Sequence, residues 1–295
     1  MKLPIAIMAF DRPAYLESVL QTVISQAGYG DFEPIFFFFQ DGAISPRTGI
    51  PAGSPEKIAA SISIFERYFP EATLLPSETN LGVAMNFDRA ERILFEEYEF
   101  DAAIFLEDDL ILQPHYMTTM AALIEVALEC AHIGMVSACG YLMSTPLAVQ
   151  RARARELCLM DEHNWAFGIT RRAWLARDRV LRPYLDLVSD IDYRTRSTRN
   201  PQLKAYQRSL GRGGRGYLTS QDSMKNLALE ALGIHRVSTF ANNARYIGKV
   251  GEHSTEEKFS AKKYDQTILY DAPQTQFDVP SSEELSLRRA GLYLR

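Results

Sequence analysis

Residues 102–109 read Ala-Ala-Ile-Phe-Leu-Glu-Asp-Asp, five apolar residues running directly into three consecutive carboxylates. A short apolar run of this length suits a strand buried on both faces. Three adjacent acids are poor interior residues, so they mark the strand's end at a surface or cleft. Their repulsion is costly unless a cation answers it. Mg²⁺ and Mn²⁺ take hard oxygen ligands and bridge one or two carboxylates to substrate phosphates. From this stretch alone a metal site and an acidic loop after a core strand stand side by side.

The flanking chain narrows the choice. Leu3 to Phe10 is apolar and reads as a buried first strand. Asp11 then offers a helix cap, Pro13 fits a first helical turn, and Leu16, Val19, Leu20, Val23 and Ile24 follow at helical spacing. Ile35 to Phe39 is a second strand, ending at Gln40-Asp41-Gly42. A proline- and glycine-rich loop over 44–55 leads to a helix carrying Ile58, Ile62, Phe65 and Phe69. A short strand over 72–75 follows, and Asn80-Leu81-Gly82 turns into a helix with Ala84, Phe87, Ala90 and Leu94. Another helix is expected from about Tyr116 to Cys130. Strands alternating with helices imply a mainly parallel sheet covered by helices on both faces. In such sheets ligands lie beyond the carboxyl ends of the strands. Asp11, Asp41 and Glu107-Asp108-Asp109 all fall at those ends, which favours a site over an acidic loop.

The second half is less regular. Met135 to Ala138 suggests a strand, the Arg151, Arg153 and Arg155 stretch a solvated helix or loop, and Arg171 the start of a helix. Residues 189–216 are polar and basic, with Arg194, Arg196, Arg199, Arg208, Arg212 and Arg215, and read as a long loop or excursion whose arginines either pair with phosphate or another anion or, for most of them, form a solvated face. Ser220 could cap a helix bearing Met224, Leu227, Ala228, Ala231 and Leu232. The tail after Gly251 reads as irregular. No repeat and no clear linker divides the 295 residues. The net charge of −5 argues against general nucleic-acid affinity. Three cysteines without metal-site spacing fit a reducing cytosol, no signal peptide is evident, and no apolar run approaches bilayer-spanning length. These observations give the expectation of a cytoplasmic protein.

The opening Pro4-Ile-Ala-Ile-Met-Ala-Phe-Asp-Arg-Pro-Ala-Tyr-Leu16 resembles the start of family-two-like glycosyltransferases of the GT-A fold, which is Rossmann-like. There the pattern is strand, Asn-Arg-Pro, helix; here Asp11 replaces the asparagine. Asn80-Leu81-Gly82 and its helix are similar to that family as well. Glu107-Asp108-Asp109 is similar to the acidic triplet of N-acetylglucosaminyltransferase I and its relatives, a form of the Asp-X-Asp motif. The likeness is strongest over residues 3–125 and continues more weakly through Trp165-Ala-Phe-Gly168, Ser220-Gln-Asp222 and Ile247-Gly-Lys-Val-Gly-Glu-His253.

The resemblance implies one domain over 1–295, with a nucleotide-sugar-binding half over 1–125 and an acceptor half over 126–295. It also implies roles. Phe10, Asp11 and Arg12, with Asn80 and Glu107, would border the nucleotide. Asp41 would accept from the uracil imide, Asp108 would face ribose or metal, and Asp109 would be the direct ligand of Mn²⁺ or Mg²⁺. His253 is a second metal ligand, a pyrophosphate contact or a surface residue of a polar tail. Asp222 is the candidate base for an inverting transfer, or else an acid favoured by its helix start. Asp161 and Glu162 are the reserve, and Trp165 is an acceptor-stacking ring or a buried aromatic.

The activity implied is transfer of a hexosyl or N-acetylhexosaminyl group from a UDP-sugar to a glycan or other hydroxyl acceptor, in polysaccharide biosynthesis. A sugar nucleotidyltransferase is disfavoured because Phe10 to Tyr15 holds no glycine for a triphosphate loop. A non-catalytic nucleotide-sugar-binding protein is the third class.

Overall fold

A computed structural model describes residues 1–140, 144–160, 163–211, 220–251 and 255–293. In chain order these form β1 (Lys2–Ala9), α1 (Pro13–Ile24), β2 (Glu33–Gln40), α2 (Pro55–Tyr68), β3 (Thr73–Pro76), α3 (Gly82–Arg92), β4 (Ala102–Glu107), β5 (Leu110–Leu112), α4 (Tyr116–Glu129) and β6 (Ile133–Ser137). The second half continues with α5 (Leu147–Ala152), β7 (Leu157–Leu159), β8 (Phe167–Thr170), α6 (Arg171–Ser189), α7 (Asn200–Ser209), α8 (Gln221–Ala231), β9 (His235–Thr239), β10 (Ala244–Tyr246), α9 (Glu256–Ala261) and α10 (Ser282–Tyr293).

Eight strands make one sheet in the order β3-β2-β1-β4-β8-β6-β9-β7. The pairs β3–β2, β2–β1, β1–β4 and β6–β9 are parallel, and β4–β8, β8–β6 and β9–β7 are antiparallel. The sheet is therefore mainly parallel, as expected, and every antiparallel pair includes a strand of the second half. Strand alternation sends successive side chains to opposite faces. Ile5, Ile7, Ile104 and Leu106 pack with Leu16 and Leu20 of α1 and Met117 and Ile124 of α4. Ala6, Met8, Ala103 and Phe105 pack on the other face with Phe87 of α3 and Trp174 of α6. The unbroken Phe36–Phe39 run fits a strand covered twice: Phe38 stacks on Phe65 of α2 at 4.3 Å, while Phe37 and Phe39 face the opposite core. Each fully buried side chain of this size is worth roughly 1.5–3 kcal/mol, so a two-sided run needs both helical layers.

Four expectations require correction. Asp11 does not cap α1; Arg12 occupies the cap position without a side-chain bond, although Pro13 opens the helix as expected. Residues 189–216 are not simply a loop. Their described part forms a 3-10 turn (Tyr193–Arg199) and α7, because Leu203 and Tyr206 join Leu181, Tyr184, Val188 and Met224 in a third apolar cluster. Within it Arg196 is 1% exposed, so the solvated-face reading fails for that residue. Nor is the tail irregular throughout: it carries α9 and α10, and Leu285 of α10 is buried in the core. Ser220 caps α8 as expected, its hydroxyl accepting from the Ser223 amide at 3.3 Å. Among the described residues no helix is long and apolar enough to cross a membrane.

Candidate active site

The order β3-β2-β1-β4 places a topological switch between β1 and β4, where connections leave in opposite directions, the position at which sheets of this kind open a crevice at their strand ends. Gln40, fully buried at the end of β2, shapes the crevice rim. Its amide Nε2 donates to the carbonyls of Phe10 at 2.7 Å and Asp41 at 2.9 Å, fixing the turn after β1. A side chain at Gly53 would lie within 2.5 Å of the Phe10 ring and 2.9 Å of the Asp11 carboxylate, so the 51–54 loop closes directly on both.

Arg12 reaches from this turn to the acidic triplet. Its guanidinium pairs with Asp108 and, at 2.8 Å, with Asp109. The two carboxylates are almost fully buried, while Arg12 keeps 28% of its side chain exposed. Burial raises the Asp108 carboxyl to about 6 against the opposing pull of Arg12. Asp109 is also pushed up by burial, with Arg12 and the Tyr246 hydroxyl opposing. Tyr246 belongs to β10, which pairs antiparallel with β5 immediately after the triplet. The following segment continues over the acids: the Ile247 amide donates to the Asp109 carbonyl at 2.8 Å. Gly248 fits there because any Cβ would meet the Tyr246 hydroxyl at 2.3 Å and the Asp109 carboxylate at 2.8 Å.

Asp41 and Asn80 meet on the β2 side of the crevice. Asp41 Oδ1 accepts from the amides of Gly42 (2.9 Å) and Leu81 (2.8 Å), and Oδ2 from the Gly82 amide (2.9 Å) and Asn80 Nδ2 (3.2 Å). A carboxylate offers about four lone-pair sites, so these donors fill it. Burial moves its carboxyl up to about 6, with the backbone donors opposing. An incoming imide would have to displace one donor, and Asn80 makes the longest of these bonds.

The opposite wall brings Asp222, near the start of α8, toward Glu107. Burial is the main cause pushing the Glu107 carboxyl well up, followed by the charges of Asp109 and Asp222, with Arg12 opposing. Strand alternation accounts for this: Glu107 lies on the face of Ala103 and Phe105, the side that α8 helps cover. Asp222 accepts from Gln221 Nε2 at 2.8 Å and Asn164 Nδ2 at 3.5 Å, and Asn164 Oδ1 in turn accepts from Arg236 at 2.9 Å. Burial raises the Asp222 carboxyl, opposed by Lys225, His163, the Asn164 amide and Arg236. Behind it Lys225 pairs with Glu91 at 2.8 Å, and Glu91 with Arg177 at 2.5 Å, all three buried. Trp165 is stacked in parallel with His163 at 4.6 Å and with Tyr246 at 4.8 Å. Trp165 is thus packed between aromatic neighbours but only half-buried, and it lines a cavity with Leu110, Cys139, Met160 and Tyr246. Ala166 beside it holds φ of 41°, an uncommon left-handed conformation for a residue with a side chain. Hydrogen bonds from Ser137 to the Trp165 carbonyl (2.9 Å) and from Tyr116 to the Ala166 carbonyl (2.5 Å) hold that turn.

Phe10, Asp11, Arg12, Asp41, Asn80, Glu107, Asp108 and Asp109 thus lie at the carboxyl ends of β1 to β4 or in the turns that follow them, and Asp222, near the start of α8, faces Glu107. His253, Asp161 and Glu162 lie outside the described residues. Sequence reasoning missed Gln40, Tyr246 and the Arg12 bridge. Gln40 had a signal, a polar residue at the end of a phenylalanine run; Tyr246 had none, because its position depends on the long-range β5–β10 pairing. The metal expectation can be tested on the donors themselves. Asp108 Oδ2 is buried without a hydrogen-bond partner, and it neighbours a second carboxylate already answered by a cation. That donor set fits a hard divalent ion shared with substrate phosphates. Among the described residues no three acidic, histidine or cysteine groups form an all-protein metal cluster.

No protein-family model and no curated protein sequence matches the chain. Solved structures similar to it include residues 1–349 of TarS from S. aureus, with a TM-score of 0.44 and 10% identity over 84% of this chain and 61% of that one. A second structure of S. aureus TarS gives a TM-score of 0.43 and 11% identity over 88% and 45%. Glucosyl-3-phosphoglycerate synthase from Mycobacterium tuberculosis, in complex with Mn²⁺, UDP and glucosyl-3-phosphoglycerate, gives 0.37 and 15% identity over 59% and 58%. The chain therefore spans about three fifths or less of the length of these structures.

Proposed function

We propose that the chain is a glycosyltransferase using a nucleotide sugar, with UDP as the nucleotide and Mn²⁺ or Mg²⁺ as the cation. The observation that carries this reading is the switch-point crevice: two buried carboxylates bridged by a cation, one oxygen left unpartnered, and a third wall bearing Asp222. Residues 1–125 would hold the nucleotide and residues 126–295 the acceptor, a glycan or other hydroxyl compound. A hexosyl or N-acetylhexosaminyl group would be transferred with inversion, in polysaccharide biosynthesis.

In this reading Asp41, with Asn80 as the exchangeable donor, addresses the base, while Phe10 and Asp11 border base and ribose. Asp108 and Asp109 would hold the metal, which supplies charge neutralisation for the diphosphate leaving group. Arg12 releases the acids and turns its guanidinium to the phosphates, a natural partner for them. Asp222 takes the acceptor hydroxyl proton; burial raises its carboxyl toward the working pH, which makes it a better base. Gln221 and Asn164 hold Asp222 in place, and the charge of Lys225, itself paired with Glu91, favours its carboxylate form.

Arg12 favours a metal-free variant of the same chemistry, in which the guanidinium alone neutralises the diphosphate. Calorimetry of UDP with Mn²⁺ and with EDTA separates the two. The metal reading expects tighter UDP binding with Mn²⁺, and loss of that difference in Asp109→Asn. Equal affinity in both buffers overturns the metal bridge, and absence of UDP binding in either overturns the nucleotide reading.

A further inference from the structure

Arg196 is 1% exposed, and its Nε and Nη1 are buried without a hydrogen-bond partner among the described residues. The groups facing its charge are Tyr184 of α6, Tyr193 and Arg47; none is a carboxylate. Its guanidinium lies over the Tyr193 ring at 4.8 Å. A buried cation without an acid is costly, and a second cation nearby makes it more so. Such an unpaired group in a folded chain calls for a ligand or another explanation.

The direction it points supplies the ligand class. A Cβ placed at Gly82 would be 3.5 Å from Arg196 Nη2. Gly82 is the first residue of the 11-residue α3, so the guanidinium sits at the positive end of that helix. Asp41 takes the Leu81 and Gly82 amides, but the amides of Val83 and Ala84 in the same turn have no protein acceptor among the described residues. Arg47 approaches from the 44–51 loop, where it pairs with Asp192 at 3.4 Å. Arg196 and the free helix-start amides converge with no carboxylate on Arg196, while Arg47, held by Asp192 and by the Ser189 carbonyl, brings a second positive charge near them. We propose that Arg196, Arg47 and the first turn of α3 form a phosphate-binding subsite. Tyr184 packs in one apolar cluster with Met224 and Leu227 of α8, the helix that carries Asp222. The phosphate comes either from the donor diphosphate or from a phosphorylated acceptor; only the assignment to donor or acceptor rests on the glycosyltransferase reading.

Calorimetry of inorganic phosphate, UDP and uridine on the full chain tests this, using wild type, Arg196→Gln and Arg196→Lys. Wild type binds phosphate, and the Gln variant binds it about ten- to a hundred-fold more weakly, the effect of losing a charged hydrogen bond. The Lys variant keeps most of the affinity, and uridine binding is unchanged in both. Phosphate that competes with UDP assigns the subsite to the donor; phosphate that binds alongside UDP assigns it to an acceptor. The Gln variant should melt no lower than wild type, since it loses an unpaired buried charge. A lower melting temperature with unchanged phosphate and UDP affinity makes Arg196 structural and overturns the proposal. So does a wild type that binds neither phosphate nor UDP more tightly than uridine. Arg196-dependent phosphate binding in a chain that binds no uridine compound keeps the subsite and overturns the nucleotide-sugar reading.

Discussion

Replacing Arg12 by alanine removes the cation from Asp108 and Asp109 and tests how the acidic pair is held. Breaking a buried ion pair by deleting one partner costs about 3–5 kcal/mol. Arg12 is 28% exposed, against 4% and 8% for the two acids, so solvent screening reduces that to about 2–3 kcal/mol. At roughly 2–4 °C per kcal/mol for a chain of this size class, the variant should melt about 5–10 °C below wild type in EDTA at pH 7.5. Mn²⁺ can take the place of the guanidinium. At a hundred times its dissociation constant it returns about 2.7 kcal/mol, enough to cancel most of the loss. In wild type the same ion must first displace Arg12, so its stabilising effect is smaller. Differential scanning calorimetry of both proteins, with EDTA and with Mn²⁺, gives all four values. A variant that melts like wild type in EDTA, or that gains no more from Mn²⁺ than wild type does, refutes the reasoning.

Asp222→Asn should keep UDP affinity and slow single-turnover transfer about 10²–10⁴-fold; a small drop in melting temperature with normal transfer would leave only the helix-start role. Asp41→Asn replaces an acceptor of four N–H groups by one that must turn a donor toward some of them, costing about 2–3 kcal/mol. If Asp41 reads the base, UDP affinity falls more than that of nucleotides lacking the imide, whereas uniform loss makes it structural. His235, the buried first residue of β9 beside Ser282 of α10, has its ring moved down from 6.5 to about 4 by burial, Arg289 and His132. Its contribution is therefore complete above pH 6.5 and lost as pH falls toward 4, about 3 kcal/mol at about 1.4 kcal/mol per unit. His235→Gln should flatten that part of the melting-temperature profile between pH 6.5 and 4, and an unchanged profile would contradict the assignment.

The first half of the chain was legible because its signals are local. The Phe36–Phe39 run, the 3–4 spacing of Leu16 to Val23 and the acids ending 102–109 each specify an element without help from elsewhere. Asp41 illustrates where that stops. Its place at the end of β2 follows from sequence, but its four donors come from Gly42 and the 80–82 turn, a closure across about forty residues. Arg196 failed for a related reason. Its stretch is rich in arginine and reads as solvated by composition, yet Leu203 and Tyr206 supply enough apolar contact with α6 and α8 to bury it. Tyr246 reaches Asp109 only through antiparallel pairing of β10 with β5, and three-residue strands carry almost no periodicity. Asp222 stood out only by its motif, and its approach to Glu107 depends on how α8 packs across the sheet.

The most direct test of the account is release of nucleoside diphosphate from a panel of nucleotide sugars in water, which needs no knowledge of the acceptor. Wild type with Mn²⁺ or Mg²⁺ should release UDP from at least one UDP-sugar, EDTA should suppress it, and Asp109→Asn should abolish it with the fold intact. Failure to release or bind any nucleotide of the panel, with and without metal, would contradict the central claim.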